Sequence, residues 1–600
     1  MSGRRTTSPS PRRPLTLTRP GTSGHPPHRR LVAMLAILAV GFAGILVRLF
    51  VLQVKDAAAL QRMAIDQRIR SVTLPAPRGT IFDRNGRELA MSLPADDVYV
   101  DPQLVRNAAA EAPTVASILG LKEAAVLQLL STKATAGGQP VHFAWVKMGV
   151  DLQTARLLAS HDLAGIGMLS DTRRYYPNGP LAPQVLGVVG VDGAGLAGLE
   201  LQYQSLLAGK PGHEVVQEDP SGTLIPQAGA THTAPVPGDD LVLTIDRDIQ
   251  YRAQQSLAEA VQRNHARSGT VIVMNPHTGA ILAMATYPWF DPNNVAASNP
   301  ATITNSAVTD VYEPGSVNKI VTAAAALQEG VLNLNTRFMV PDQVTVYGDV
   351  IHDAEIHPTE PMTLADILAY SSNIGAIKVA ALLGERRFFN YLQAFGYGRP
   401  TGIDFPGESP GILPPLSQWS GTSMATIPFG QGIAVTPLQM ACVYATIANG
   451  GVWVQPRLVR GTIGPDGQFQ PAPAPATRRV VSERTARTVA ELLAYGVDVG
   501  TGVQAQIPGF WVAGKTGTAQ IPNPKGGGYL PNVYDASFMG FTPASNPQIV
   551  VVAILDRPST VYGGVAAAPL FRDVARFALA HLRIPPASKP PIPPHAIPAG

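Results

Sequence analysis

Six hundred residues are too many for one hydrophobic core, so the length predicts two or more domains. The composition, 45% hydrophobic and 15% charged, is that of a globular protein and excludes a wholly disordered chain. The net charge of +4 comes from residues 1–30, which hold seven arginines and no acid; the other 39 basic and 42 acidic residues leave no basic excess for a nucleic-acid-binding face.

The first predicted element is a membrane-spanning helix over residues 31–54. Leu31–Val47 contain no charged residue, and the 24 residues to Val54 would form about 36 Å of helix, enough to cross about 30 Å of hydrocarbon. A cleaved signal peptide would have a shorter apolar core and a small-residue cleavage site close behind it, and "KDAAAL" lies too far along. The arginines before the helix predict a disordered cytoplasmic tail over residues 1–30 and an extracytoplasmic remainder.

Residues 55–235 are predicted to form a mixed α/β module. "RSVTLPAPRGTIFDRNGRELA" indicates an extended segment, a turn at Asn85-Gly86 and a second strand, and residues 102–170 are predicted to form short helices. Three charged residues near the turn are expected to pin a strand to its neighbour rather than to catalyse, namely Arg78, Asp83 and Arg84.

A glycine motif in this module, Gly193-x-Gly195-x-x-Gly198, is typical of dinucleotide-binding turns, and the acids Glu218 and Asp219 follow at a suitable distance. The motif alone is weak evidence, and "KPGHEVVQEDPSG" does not have the pattern of a buried parallel strand ending in such an acid. A chain exported across the membrane would also meet little NAD. We therefore interpret the glycines as structural.

A second domain is predicted over residues 236–583, after a joint rich in Pro and Gly. A short strand and a long helix begin it, with Asp246 placed to cap the helix, and a hairpin follows around Asn275–Gly279. Strands return in "DASFMGFTPASNPQIVVVAILDRP", with mainly helices between. This order predicts an α+β fold in which helices cover an antiparallel sheet, and residues 584–600 are expected to be a disordered Pro-rich tail.

The sequence "EPGSVNKIVTAAAALQEG" contains the strongest chemical signal. It predicts a helix ending at Gly330, with Ser316 in the first turn and Lys319 one turn later on the same face. A buried lysine loses its proton more easily, so Lys319 could accept the proton of Ser316 and activate its oxygen as a nucleophile. An ordinary helix start with a surface lysine would have the same spacing.

Two further motifs follow Ser316 in order. Ser371-Ser372-Asn373 lies in a predicted helical region, and Lys515-Thr516-Gly517-Thr518 lies on a predicted strand. S-x-x-K, an S-D-N element and K-T-G together are the signature of β-lactamases and penicillin-binding proteins, and here the middle element is Ser-Ser-Asn.

Each residue type in these motifs suits a step of acyl transfer. Ser371 can relay a proton to the leaving amine, Asn373 can hold a substrate amide, and Lys515 adds positive charge near the relay. The hydroxyls of Thr516 and Thr518 can bind a carboxylate, and Gly517 is expected to keep the strand open to the ligand. Backbone N–H groups of Ser316 and Thr518 would form an oxyanion hole.

These motifs resemble those of class B penicillin-binding proteins, monofunctional peptidoglycan D,D-transpeptidases of the septal, cell-division type. The stretches "RGTIFDRNG", "GLAGLELQY", "YEPGS", "GQGIAVTPLQM" and "YGGVAAAPLF" extend the resemblance over nearly the whole chain after residue 31. It implies a single transmembrane helix, an elongated pedestal (dimerisation) domain over residues 55–235, and a penicillin-binding domain with a serine β-lactamase-like fold over residues 236–583.

The resemblance also implies the reaction and the partners. Ser316 would attack the D-Ala-D-Ala bond of one peptidoglycan stem peptide, release D-Ala and pass the acyl group to an amine of a neighbouring stem. β-Lactam antibiotics would acylate the same serine. The implied partners are a SEDS-type glycan polymerase and other divisome proteins of the plasma membrane, with no cofactor, no metal and no nucleic acid.

The chain departs from the family pattern in two places. Asn305-Ser306-Ala307 stands where relatives commonly have Asn-Arg-Ala, which puts in doubt a contact between pedestal and catalytic domain or at the site rim. "SVNK" replaces the commoner Ser-Thr-Phe-Lys, as in actinobacterial relatives. We expect neither a glycosyltransferase module before the joint nor PASTA-like repeats after residue 583.

Two other features are given structural interpretations. "IHDAEIH" places His352 and His357 beside Asp353 and Glu355, but the spacing is not HExxH, so we expect a loop joining helices rather than a zinc site. Cys442, the one cysteine, lies in a helical pattern and is expected to be a buried small residue.

Two alternatives stay open on the sequence. A D,D-carboxypeptidase or β-lactamase-like hydrolase would use the same three motifs, although we find no E-x-x-L-N-type element to hold a deacylating water. A catalytically silent β-lactam-binding scaffold or sensor is the alternative of another class. The intact motif residues argue against a silent site.

Overall fold

The computed structural model describes residues 27–58, 60, 69–218, 224–225 and 232–586. The described chain divides into two compact units. Of the tails predicted to be disordered, residues 1–26 and 587–600 lie outside the described residues. Residues 27–30 are helical, so the helix begins four residues earlier than predicted.

The described residues of the first unit lie within the ranges 1–72 and 213–232. Its helix, Pro27–Phe50, continues as a π-helical turn, Val51–Lys55. His28–Lys55 is long and apolar enough to cross a membrane, as predicted. A small four-stranded sheet contains the short strands Ile69–Leu74, Gly212–Glu218, Leu224–Ile225 and His232–Thr233.

The second unit begins with a seven-stranded mixed sheet. Its strands, in spatial order, are Phe469–Pro471, Val459–Ile463, Asp240–Leu243, Ile81–Phe82, Glu88–Val100 and Ala144–Asp151, with Ile166–Tyr175 also paired to Glu88–Val100. Ile81 pairs with Leu241 in parallel register, so the strand after the predicted joint completes the sheet that starts before it.

The prediction of helices alone over residues 102–170 was incomplete. The helices within residues 102–170 are Ala108–Leu119, Glu123–Ser131 and Leu152–Ala159, and three short helices follow, Pro183–Leu186, Gly198–Gln202 and Gln204–Leu207. However, Ala144–Asp151 and Ile166–Tyr175 are strands, and both pair with the long strand Glu88–Val100. These two segments become strands through pairing with a distant partner, and neither has a clear two-residue alternation of buried and exposed positions.

Two of the three charged residues near the Asn85 turn, Arg78 and Asp83, have structural partners, as predicted. Arg78 Nε donates to Glu200 Oε2 at 2.5 Å, and both side chains are buried. Arg78 Nη1 also donates to the carbonyl of Gly193 at 3.2 Å, so the glycine motif packs around a buried ion pair. Asp83 Oδ1 accepts from the backbone N–H of Asn85 at 2.8 Å and thereby closes the turn. Arg84 contributes through its backbone N–H, which donates to the Ile245 carbonyl.

A five-stranded antiparallel sheet forms the centre of the second unit, as predicted. In spatial order its strands are Ile281–Tyr287, Ser268–Met274, Ile549–Asp556, Tyr529–Thr542 and Ala513–Pro522. Alternate residues of Ser268–Met274 enter two different cores, Ile272 one and Val271 the other, so helices cover both faces. Asp246 caps the first helix by accepting from the N–H groups of Asp248 and Ile249.

The remaining elements surround this sheet. The helices after the predicted joint are Arg247–Arg263, Ser306–Thr309, Lys319–Gln328, Leu364–Ala369, Asn373–Leu383, Glu385–Phe395, Ser423–Thr426, Pro437–Ala448, Glu483–Val499, Gly563–Ala566 and Ala568–His581. Single 3₁₀ turns are Val295–Ala297, Pro300–Thr302, Gly315–Asn318, Leu416–Gln418, Ile427–Phe429 and Val503–Ala505. Three two-stranded ribbons pair Phe338–Val340 with Glu360–Met362, Gln343–Val346 with Asp349–His352, and Val452–Val454 with Thr477–Arg479. Cys442 is buried in Pro437–Ala448, as predicted.

The segment Asn305-Ser306-Ala307 forms the start of a short helix, where Asn305 Oδ1 accepts from the N–H of Ala307 at 3.2 Å. Residues on the two sides of the predicted joint contact each other at a different place, around Asp404. Gln202 Nε2 donates to Asp404 Oδ1 at 2.5 Å, and the hydroxyl of Tyr203 donates to the other oxygen of Asp404.

Candidate active site

Ser316 lies in a 3₁₀ turn, Gly315–Asn318, directly before the helix Lys319–Gln328. The expected position was the first turn of the α-helix itself. Gly315 has a φ of +61°, and its N–H donates to the carbonyl of Gly430 at 3.1 Å. A Cβ on Gly430 would lie 2.3 Å from the carbonyl oxygen of Gly315. We call Gly315–Asn318 the nucleophile turn, after the predicted role of Ser316, and this turn requires glycine at both Gly315 and Gly430.

Lys319 brings the first two sequence motifs together. Its Nζ lies 3.0 Å from Ser316 Oγ, 2.5 Å from the carbonyl oxygen of Ser371 and 2.8 Å from Asn373 Oδ1. The carbonyl and the amide oxygen only accept hydrogen bonds, so they take two N–H groups of the amine. In a neutral amine the third position is a lone pair, which faces the hydroxyl of Ser316.

Burial favours this neutral amine. Lys319 is 1% exposed. Desolvation lowers the pKa of Lys319 well below its ordinary value, and the positive charge of Lys515 lowers this pKa further. The negative charge of Asp353 raises the pKa of Lys319, but by less than the other two effects lower it. A neutral amine at this position can accept a proton from a hydroxyl, so the geometry is compatible with the predicted role of Lys319 as the base of Ser316.

The Ser371-Ser372-Asn373 motif is held in a conformation that its sequence does not reveal. Ser371 has a φ of +64°, a left-handed conformation that costs a non-glycine residue about 1 kcal/mol. Its carbonyl and its Oγ both lie within hydrogen-bonding distance of Lys319 Nζ. Ser372 caps the next helix by accepting from the N–H of Gly375. The strained residue therefore directs two oxygens at Lys319 Nζ.

Asn373 is oriented by partners at both ends of its amide. Its Nδ2 donates to the carbonyl of His352 at 3.0 Å, which leaves Oδ1 directed at Lys319. The sequence suggested that Asn373 holds a substrate amide. In this structure the side chain orients the base, and its second N–H and second lone pair are the groups left for a ligand.

Asp353 caps the helix of Asn373, a role that the sequence did not predict. Its Oδ1 accepts from the backbone N–H groups of Asn373 at 2.5 Å and Ile374 at 3.1 Å, so it satisfies the free N-terminus of the helix that carries the motif. Asp353 lies in "IHDAEIH", for which the sequence predicts a loop joining helices. The segment is not a loop between helices, because a β-ribbon precedes it and a strand follows it.

Among the described residues, the group of side chains with metal-ligand spacing is Asp246, Asp248 and His581, and not the histidines of "IHDAEIH". Asp246 Oδ1 accepts the helix N-cap hydrogen bonds, and Asp248 pairs with Arg87 at 2.7 Å. These carboxylates therefore have structural partners already.

The strand Ala513–Pro522 carries Lys515-Thr516-Gly517-Thr518 at the edge of the central sheet. An edge strand has a row of N–H and C=O groups that are not paired with a neighbouring strand. The nucleophile turn packs against this strand, since a Cβ on Gly315 would lie 3.1 Å from Ala519 Cβ. Thr516 is buried, and its hydroxyl lies 2.7 Å from that of Thr501 and 3.2 Å from Lys515 Nζ. Thr518 is partly exposed. Of the two threonines, Thr518 is thus the more open to a ligand.

Glu313, three residues before Ser316, contacts both the loop that contains Gly432 and the start of the strand Tyr529–Thr542. Its Oε1 accepts from the N–H of Gly432 at 3.0 Å, and its Oε2 accepts from the hydroxyl of Tyr529 at 3.0 Å. Gln431 Nε2 donates to Gln520 Oε1 at 3.1 Å beside this contact. The stretch "GQGIAVTPLQM" thereby joins the nucleophile turn to the edge strand.

We expect Gly517→Ala to lower the rate of acylation by a β-lactam about 100-fold. The reason differs from the sequence interpretation, because a Cβ at Gly517 would lie 2.3 Å from Ser537 Oγ and 3.0 Å from Val317 of the nucleophile turn, and not in open space. The rate is measured with a fluorescent penicillin. Ser537→Ala should act like wild type, and Gly517→Ala/Ser537→Ala should recover part of the loss; a double variant as slow as Gly517→Ala would contradict this account.

We expect β-lactam binding to weaken as pH rises through about 7, since burial lowers the pKa of Lys515 to about 7 and its positive charge is lost above that value. The measurement is the second-order acylation constant from pH 6 to 9. Lys515→Arg should remove this decline at high pH, because a guanidinium stays charged. Lys525→Arg, outside the KTG motif, is the control, and a decline that persists in Lys515→Arg would assign it to another group.

The comparisons with known proteins cover both halves of the second unit. Residues 269–576 match the family described as the penicillin binding protein transpeptidase domain, and residues 73–243 match the penicillin-binding protein dimerisation domain. The penicillin-binding protein PbpB of Mycolicibacterium smegmatis is 36% identical over 92% of this chain and 90% of its own length. Peptidoglycan D,D-transpeptidase FtsI of Escherichia coli is 31% identical over 93% of this chain and 92% of its own length.

A solved structure has the same fold. The crystal structure of penicillin binding protein 3 from Mycobacterium tuberculosis, complexed with aztreonam, has a TM-score of 0.68 and 33% sequence identity over 87% of this chain and 99% of that chain. This chain therefore belongs to the penicillin-binding proteins with a dimerisation domain and a transpeptidase domain.

Proposed function

We propose that this protein is a membrane-anchored peptidoglycan D,D-transpeptidase that cross-links stem peptides during septal cell-wall synthesis and is inhibited by β-lactams. The observation that carries the proposal is the 3.0 Å contact between Ser316 Oγ and the buried Lys319 Nζ. A serine beside a desolvated amine is arranged for acyl transfer.

In the first half of the reaction Lys319 accepts the Ser316 proton as Oγ bonds to the carbonyl carbon of the D-Ala-D-Ala bond. The C–N bond then breaks, and the proton passes from Lys319 through Ser371 to the departing D-Ala amine. In the second half an amine of a neighbouring stem attacks the ester, loses its proton to the same relay and restores Ser316. No net oxidation occurs, and no cofactor is required.

The other motif residues have supporting roles in this proposal. Backbone N–H groups of Ser316 and Thr518 would stabilise the oxyanion, each by about 3 kcal/mol. Thr518, with Thr516 behind it, would bind the terminal carboxylate of the donor, and Lys515 would attract that charge. Asn373 orients Lys319, and Gly517 leaves room for the nucleophile turn.

We further propose the organisation of the whole chain. Residues 31–54 would be the single membrane-spanning helix, with the N-terminus cytoplasmic and the rest outside the plasma membrane. The arginines of residues 1–30 support this orientation. Residues 55–235 would form the pedestal and residues 236–583 the transpeptidase domain. Partners would be a SEDS-type glycan polymerase and other divisome membrane proteins.

The function is tested with the full-length protein in detergent and uncross-linked glycan strands whose stems end in D-Ala-D-Ala. Mass spectrometry counts released D-Ala and cross-linked stems. Equal amounts of both would support transpeptidation. Release of D-Ala without cross-links would identify a carboxypeptidase, and neither product, despite covalent penicillin labelling, would identify a silent β-lactam-binding protein.

A further inference from the structure

His357 lies in the segment between the strands Asp349–His352 and Glu360–Met362. It contacts Asp353, which in turn contacts the backbone of Asn373. Its Nδ1 is 2.8 Å from the carbonyl oxygen of Pro358, and its Nε2 is 3.2 Å from Asp353 Oδ2. Its side chain is 17% exposed. The ring thus joins the backbone of its own segment to the carboxylate that caps the helix of Asn373.

Both partners of this ring are acceptors. A backbone carbonyl has no proton to donate, and Asp353 also accepts two backbone N–H groups through its other oxygen. Both ring nitrogens must therefore donate, which only the imidazolium form can do. The direction of the pKa agrees, because burial lowers the pKa of His357 but the bonds to Pro358 and Asp353 and the nearby Glu360 together raise it above its ordinary value.

The charge of Asp353 acts against the catalytic base. Asp353 is 8% exposed, and its negative charge raises the pKa of Lys319, which favours the protonated amine that cannot accept from Ser316. A positive His357 pairs with Asp353 on the side away from its helix-capping oxygen. The two charges then offset each other where Lys319 faces them.

We propose that His357 is a positioning residue of acyl transfer, which as an imidazolium holds Asp353 against the helix of Asn373 and offsets its charge so that Lys319 stays neutral. The inference rests on the proposed function, since it concerns the base of that reaction. The charged groups that face His357 are Asp353 and Glu360, and an oxygen of Glu360 is 3.6 Å from Nδ1. Lys319 in turn interacts electrostatically with Asp353 and Lys515.

The experiment measures the second-order rate of acylation by a fluorescent penicillin from pH 5 to 9 with the full-length protein. We expect His357→Gln to be about fivefold slower than wild type at pH 6 and to approach wild type at high pH, because the uncompensated Asp353 charge makes Lys319 harder to deprotonate. Asp353→Asn/His357→Gln removes that charge and should return the acid side of the profile to its wild-type position, even where the maximum rate is lower.

His277→Gln is the matched control. His277 also joins two oxygen acceptors, Asn449 Oδ1 at 2.8 Å and the carbonyl of Pro547 at 2.7 Å, but it lies at the turn of the hairpin around Asn275–Gly279. Its pH profile should match wild type. A His357→Gln profile that differs from wild type only by a constant factor at every pH would overturn the electrostatic role.

A second measurement separates this inference from the proposed function. Nitrogen-15 spectra of labelled histidines should identify His357 as an imidazolium at pH 7, and Asp353→Asn should lower the pH at which it titrates. A neutral His357 at pH 7 would overturn the inference. Failure of wild type to take any penicillin would instead contradict the proposed function, and the spectra would still decide the protonation of His357.

Discussion

Ser316→Ala is expected to abolish covalent labelling by a fluorescent penicillin, a loss of at least about 1,000-fold. The oxygen that forms the ester is removed, while the other described partners of Lys319 Nζ, Ser371 and Asn373, stay in place. The fold should be unaffected, since Ser316 is partly exposed and no bond of its side chain other than that to Lys319 is described. Intact-mass measurement of the adduct checks the result.

Ser372→Ala is the control for this prediction. Ser372 lies in the second motif, but its Oγ caps a helix by accepting from Gly375 and does not contact Lys319 in the described structure. We expect this variant to keep the label and to lose about 1 kcal/mol of stability, the usual effect of removing an N-cap. A labelled Ser316→Ala protein, or an unlabelled but folded Ser372→Ala protein, would show that the nucleophile has been assigned wrongly.

Lys319→Met is expected to slow acylation by about 1,000-fold without destabilising the protein. The variant removes the proton acceptor of Ser316 but keeps an unbranched side chain of similar length in a site that is 1% exposed. Because a buried amine is costly to desolvate, we expect the free energy of unfolding to stay equal or rise by about 1–2 kcal/mol. Acylation rates and thermal unfolding are measured on the same preparation.

Lys319→Arg separates the charge of this residue from its basicity. A guanidinium stays protonated, so the variant should be as inactive as Lys319→Met although it keeps a positive charge. Lys378→Met, on the helix Asn373–Leu383, is the control for loss of a lysine elsewhere. If Lys319→Arg acylated at a rate near that of wild type, a neutral amine would not be the base.

Much of the site could be predicted because its residues lie in short contiguous motifs. Ser316 and Lys319 are three positions apart at a helix start, so local geometry alone brings them to one face. The strand of Lys515 was predicted from its neighbours in the same way. By contrast, the role of Asp353 depends on Asn373, 20 positions later, and no local pattern predicts that hydrogen bond.

The sequence by itself determined the membrane helix, the Asn275–Gly279 hairpin, the Asp246 cap and the order of the three motifs. These features rest on composition, turn chemistry and hydrogen bonds between residues close in the chain. The tertiary structure alone decided that Ala144–Asp151 is a strand, that Gly517 makes room for Ser537 and that Lys319 is buried. Pairing, close packing and desolvation depend on residues distant in sequence, and they adjust the acidity of the base.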